Sequence, residues 1–334
     1  MQTFKYSRPA TVDQAILAGA KSRTAQQHAD VRFVAGGTTL VDLMKLDVEQ
    51  PSQLVDINGL ALDKITPAPG GGLIIGALAR NAAVAHHPAV QRDYPVLSEA
   101  LLSGASPQLR NMATTAGNLL QRTRCVYFRD TAHACNKREP GSGCSAIGGH
   151  NRNLAILGVS KDCIALNPSD QNVALTALEA TIQVQGPKGK RNIPIHEFYL
   201  KPGATPHLEN VLEPGDLILS VTLPAPAPGT RSHYLKLRDR AAYEFALASA
   251  AIVVTTSGGT IRHARVALGG VGTVPWRSPE AESALEGQPA NAVTFRKAAE
   301  AALKDAQPQT ENGFKVELAR RCIVRALTVS TQSA

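Results

Sequence analysis

Apolar positions follow two alternating rhythms in the first eighty residues. Val31 to Ala35 is a mostly apolar, β-branched run that stops at Gly36-Gly37, and Thr38 to Leu46 then carries Leu40, Leu43 and Met44 at helical spacing. The segment is expected to pass from strand through a tight turn into a helix. Further strands are expected at Gln53 to Ile57 and at Gly72 to Ala77, the second after a Pro/Gly-rich turn from Pro67 to Gly72. From Arg122 to Asn153 neither period survives, and Gly, Pro, Asn, Arg and Cys dominate; this stretch is an irregular insertion. Regular structure is expected to resume as a short strand at Cys163 to Leu166. A helix start at Asn167-Pro168-Ser169-Asp170, a helix over Val173 to Ala180, and paired strands at Thr181 to Gln185 and Arg191 to Ile195 follow.

Pro224 to Gly229 alternates Pro and Ala and reads as a linker. Beyond it come a strand at Tyr234 to Leu237, an apolar run to Thr256, a Ser257-Gly258-Gly259 turn and a strand at Ile261 to Leu268. A last helix over Phe314 to Leu327 sets Val316, Ala319, Cys322 or Ile323, and Ala326 on one face. The pattern is α+β, divided into residues 1–223 with an insertion at 121–163, a linker at 224–229 and a second part at 230–334.

Composition narrows the function. The chain has 334 residues, enough for two or three domains. Its most apolar stretch, Phe245 to Val254, is short of a membrane span and reads as core. Met1 to Tyr6 shows no secretory signal pattern, so export would depend on another chain. The net charge of +8 does not make a nucleic-acid surface, because aromatics are only 4 % and no basic stripe is interleaved with them.

Five cysteines in a chain this long do not form a disulfide framework. Four of them, Cys125, Cys135, Cys144 and Cys163, share the irregular stretch with spacing C-x9-C-x8-C-x18-C, while Cys322 lies on the apolar face of the last helix and reads as core. Four thiolates suit zinc or a 4Fe-4S cluster. Structural zinc favours close C-x2-4-C pairs, which are missing, whereas separated cysteines in a Gly-rich loop suit a cubane. Reduced thiols with no metal are the remaining reading. Between Gln121 and Asn153 stand Arg122, Arg124, Arg129, Lys137, Arg138 and Arg152 against only Asp130 and Glu139, a balance that favours an anionic cluster. His133 and His150 flank the loop and read as solvated.

Ala35-Gly36-Gly37-Thr38-Thr39-Leu40 lies where a strand meets a helix amino terminus, a place where free N–H groups favour phosphate, although a plain tight turn has the same pattern. Thr114-Thr115-Ala116-Gly117-Asn118-Leu119 and Asn167-Pro168-Ser169-Asp170 repeat small hydroxyls, Gly or an acid at turns. With Tyr234-Leu235-Lys236-Leu237-Arg238, these motifs stand in the order and spacing of the FAD-binding medium subunits of molybdenum hydroxylases, and the chain resembles that family over nearly its whole length. The resemblance implies a two-part FAD-binding domain (PCMH-type) and a C-terminal α/β domain of the carbon monoxide dehydrogenase flavoprotein type. It implies that Ala35, Gly36, Gly37, Thr38, Thr39 and Leu40 wrap the FAD pyrophosphate. It further implies that Thr114, Gly117 and Asn118 serve the phosphate or ribityl region, that Asp170 holds a ribityl hydroxyl and that Lys236 lies near the isoalloxazine. Ala116 departs from the family's frequent Gly. The segment from Arg124 to Cys144 with Gly149-His150-Asn151-Arg152 looks most like the insertion of bacterial periplasmic aldehyde oxidoreductases. That likeness implies an FAD and 4Fe-4S electron-transfer subunit. It would work beside a small 2Fe-2S subunit and a large molybdopterin subunit in a heterotrimer that oxidises aldehydes to carboxylic acids and delivers electrons to an external acceptor, exported by a partner's twin-arginine signal. A self-sufficient FAD oxidase and a zinc-stabilised basic binding protein are the rival readings.

Overall fold

The computed structural model describes residues 1–332. Its first layer is a parallel three-stranded sheet in which Gln53–Asp56 lies between Lys5–Ser7 and Val31–Val34. The helix Val12–Gly19, capped by the Thr11 hydroxyl, buries Ala15 and Ile16 against this sheet and joins a core with Val55, Ile57 and Leu219. The Val31–Val34 strand does hand over through Gly36-Gly37 to the helix Leu40–Lys45, as the change of period requires.

A second, antiparallel sheet orders its strands Ile65–Pro67, Leu73–Gly76, Leu217–Leu223, Thr181–Gly186 and Gly189–Pro194. The late strand Leu217–Leu223 is inserted between two earlier ones, pairing Leu73 with Leu223 and Thr181 with Thr222. Its burial is nearly complete, so the chain before the insertion and the chain after it share one core. Helices Pro95–Ser103 and Asp170–Ala177 complete that core.

After the exposed, irregular Pro224–Gly229 segment, a third sheet follows in the order Trp276–Arg277, Thr260–Gly269, Ala248–Ser257 and Thr230–Leu237, all antiparallel. Helices Pro279–Leu285, Ala292–Leu303 and Phe314–Thr331 cover one face. Cys322 is buried in that core with Ala319, Ile323 and Ala326, as the helical spacing indicates. No helix among the described residues is long and apolar enough to cross a membrane.

The expected strand at Cys163 to Leu166 does not form; the segment is irregular. It makes single backbone bonds instead, Ala155 N–H to the Ile164 carbonyl at 3.0 Å and Asn167 N–H to the Gly272 carbonyl at 3.2 Å. A four-residue apolar run needs burial, and here burial comes from a pocket wall and not from a sheet ladder.

Candidate functional site

The strand-to-helix turn opens onto a deep cleft enclosing about 1590 Å³ with its mouth. Ala35, Gly36, Gly37, Thr38, Thr39 and Leu40 all line it. The N–H groups of Gly36 through Leu40 make no hydrogen bond to another group among the described residues; the first amide of the turn to be satisfied is Val41, which reaches the Gly37 carbonyl. Five consecutive free amides at a helix start form an electropositive nest suited to a phosphate group.

The two glycines serve different needs. A Cβ at Gly36 would stand 2.0 Å from the Met112 carbonyl oxygen, so the protein's own backbone fills the space where the sequence suggests a ligand's pyrophosphate would press. Gly37 has φ +71°, the left-handed region that other residues avoid, with Val41 and Val34 as its side-chain neighbours.

Across the cleft, Thr114 caps the short helix Thr115–Leu119 by accepting from the Gly117 N–H at 3.2 Å, and Thr114, Ala116 and Gly117 line the wall. The Thr115 and Ala116 amides are bound to the carbonyls of Ala79 and Ala77 and are not free for a ligand. Asn118, Asp170 and Lys236 lie behind the wall. Asn118 Oδ1 accepts from the Ser169 hydroxyl at 2.6 Å, which joins the two turns. Asp170 is ion-paired with Lys236 at 2.8 Å and accepts from the Tyr234 hydroxyl at 2.6 Å. It lines a smaller pocket next to the cleft with Phe245 and Gly270, so a ligand hydroxyl would meet Asp170 there.

A chain of buried charges walls the cleft. Arg32 pairs with Glu49 at 2.8 Å, Glu49 with Arg122 at 2.5 Å, Arg122 with Glu209 at 2.5 Å, and Glu209 with Lys137 at 3.1 Å. Three cations against two anions leave one positive charge. Burial alone would raise both carboxyls, but the facing cations win: Glu49 is held below its ordinary range by Arg32 and Arg122, and Glu209 is brought down to about 2 by Arg122 and Lys137. Sequence reading missed this chain, because its members come from four distant segments and have no periodic signature.

Cys125, Cys135, Cys144 and Cys163 surround a second cavity of about 280 Å³. Cys135 and Cys144 face each other across an antiparallel bridge. The Ala165 amide donates to Cys163 Sγ at 3.5 Å. Amide-to-sulfur bonds suit thiolates that carry charge in a metal centre. Without metal, burial pushes the Cys125 thiol up to about 12 and raises Cys163, against which the Lys137 charge acts. No three His, Cys, Asp or Glu side chains among the described residues are grouped to hold one metal ion. The thiols stand around a space, an arrangement that fits a multi-iron cluster better than zinc, whose four sulfurs converge within about 2.3 Å of one point. His133 pairs with Asp130 and His150 with Glu311, both exposed and away from the cavity wall.

The expectation of an uncompensated cation excess in this insertion changes. Its cation excess is mostly neutralised from outside: Asp42 takes Arg124 and Arg129, Glu49 and Glu209 take Arg122, Glu209 takes Lys137, and Asp239 takes Arg152. Arg138 alone lacks a carboxylate and donates to the carbonyls of Tyr127, Phe128 and His133. The loop also has apolar support, with Phe128, Leu43, Val48 and Leu154 packed around the cysteines, so its order does not rest on metal bonds alone.

Against known families, residues 2–226 match the FAD binding domain in molybdopterin dehydrogenase, and residues 233–329 match the CO dehydrogenase flavoprotein C-terminal domain. The chain is 50 % identical over the full length of both sequences to the aldehyde oxidoreductase FAD-binding subunit PaoB of Escherichia coli K12. It is 28 % identical to the carbon monoxide dehydrogenase medium chain of Hydrogenophaga pseudoflava, covering 98 % of this chain and 96 % of that one. The solved carbon monoxide dehydrogenase of that organism superimposes with a TM-score of 0.76 over 98 % of this chain and 97 % of its own, at 27 % identity.

Proposed function

Since the chain belongs to the FAD-binding medium subunits of the molybdenum hydroxylase family, we propose that it holds FAD in the large cleft and passes on electrons from aldehydes oxidised to carboxylic acids on a separate molybdopterin subunit. A small 2Fe-2S subunit relays the electrons to this chain in a heterotrimer, and an external acceptor receives them. FAD, when bound, supplies an acceptor that takes two electrons and can release them singly.

The observation that carries the reading is the row of free amides from Gly36 to Leu40 on the cleft wall. These amides receive the pyrophosphate. Thr114 and Gly117 bound the opposite wall, and the charge chain through Arg122 adds one net positive charge to the cleft. Asn118 and Lys236 hold the neighbouring turns through Ser169 and Asp170, and Asp170 faces the smaller pocket beside the cleft.

The reading includes a 4Fe-4S cluster ligated by Cys125, Cys135, Cys144 and Cys163, supported by the thiol-lined cavity and the Ala165 amide that donates to Cys163 Sγ. Residues 1–223 form the FAD-binding domain and 230–334 the flavoprotein C-terminal domain, supported by their separate sheets. Periplasmic placement by co-export rests on the insertion's likeness to periplasmic aldehyde oxidoreductases and is tested by cell fractionation.

Acid precipitation of the purified complex should release a flavin that contains adenine, and iron should exceed what a small 2Fe-2S subunit supplies. Flavin that stays in the pellet, or a released flavin without adenine, contradicts the FAD assignment. Iron at the small subunit's level contradicts the cluster.

A further inference from the structure

The two cavities are neighbours, and Lys137 lines both. It follows Cys135 by two residues, so its stem is fixed at the cysteine cavity. Its ammonium is turned toward the cleft, donating to the Pro206 carbonyl at 2.8 Å and to Glu209 Oε1 at 3.1 Å. The residue is 8 % exposed. Glu209 is held on its other oxygen by Arg122, which donates in turn to Glu49 and to the side-chain amide oxygen of Gln27. A long cationic side chain is thus immobilised between two sites when water could have solvated it, and four further side chains maintain its position. Packing alone needs no charge at such a place, because burial of an ammonium is costly without compensation.

Resting on the cluster reading above, we propose that Lys137 is a positioning residue for electron exchange, a fixed cation in the shared wall that raises the reduction potential of the cysteine-bound cluster. Adding an electron makes an anionic cluster more negative, and a nearby cation favours that state. The Lys137 side chain is only 10 % exposed, so its field is screened less than that of a surface charge. Glu209 sets the strength of the effect by partly neutralising the ammonium.

The test uses the whole purified complex and reads the cluster potential by redox titration followed by electron paramagnetic resonance, with iron and FAD content measured first. Wild type must hold more iron than the small subunit supplies; iron only at that level defeats the cluster reading and this inference with it. In Lys137→Met with full iron and FAD, the cluster potential should fall by a shift equivalent to about tenfold in the one-electron equilibrium, ~59 mV. Lys137→Arg should restore most of it. Should Lys137→Met lose iron, Glu209→Gln decides: removing the anion must move the potential upward. An unchanged potential in iron-replete Lys137→Met, a downward shift in Glu209→Gln, or no shift in Glu209→Gln overturns the proposal.

Discussion

The glycine turn and the cysteine pocket are adjacent, but they are built from different parts of the chain. The turn offers backbone: five amides left free because a strand stops, a left-handed Gly37 reverses the direction and a helix begins. The pocket offers side chains: four thiols brought from separated positions by a loop that lacks regular structure. The backbone site is local and tolerates changes of side chain, provided the two glycines remain. The thiol site is non-local, and the surrounding scaffold, with Phe128 and Arg138 at its centre, has order of its own.

The largest separation of the two should come from the ligands. Cys125→Ser, Cys135→Ser, Cys144→Ser and Cys163→Ser should each lower iron to the level of the small subunit while FAD stays bound, measured by metal and flavin analysis of the complex. Cys322→Ser, deep in the C-terminal core, should leave both unchanged. Joint loss of flavin and iron from a single ligand change would show that the two sites are one folding unit.

Gly36→Val attacks the other side of the comparison. The new side chain meets the Met112 carbonyl, and relief of that clash should cost about 1–3 kcal/mol of stability together with FAD, while iron is retained. Gly37→Ala is milder: the left-handed backbone should cost roughly 1–2 kcal/mol, read by urea unfolding, with weakened but measurable FAD binding.

Acid should act on the shared wall through Glu209. Glu209 has a folded value of about 2 against an ordinary 4.5, so its contribution is complete above pH 4.5 and disappears as pH falls toward 2. Unfolding free energy should therefore drop more steeply with acid in wild type than in Glu209→Gln. A parallel dependence in the two would remove Glu209 as the cause.

A further pH effect lies outside both sites. Lys315 is buried, donates to the Leu154 and Gly270 carbonyls, and is lowered by burial, with help from Arg152, to about 7 from 10.5. Between those values the unfolded chain binds the extra proton, so stability should rise with pH from about 7 toward 10.5. Lys315→Met should flatten that slope.

Much of the architecture could be read before any coordinate. The change from strand to helix period at Gly36, the hairpin around residues 186–189, the exposed Pro-rich segment and the buried face carrying Cys322 all follow from local pattern, because period and turn chemistry act over a few residues. Cys163 to Leu166 went astray for the same reason: an apolar tetrapeptide states that it will be buried, and says nothing of what will bury it.

The sequence by itself determined which groups could do chemistry: a glycine turn able to expose amides and four cysteines with no close pairs. Tertiary structure decided how those groups are used. It set Met112 against Gly36, placed Asn118, Asp170 and Lys236 behind the cleft wall, and brought Asp42, Glu49, Glu209 and Asp239 to cations whose neighbours along the chain are mostly uncharged. The physical reason is range. Hydrogen-bonded turns and helical faces are fixed by neighbours in the chain, whereas a buried charge is satisfied by whichever opposite charge the fold carries to within about 4 Å of it.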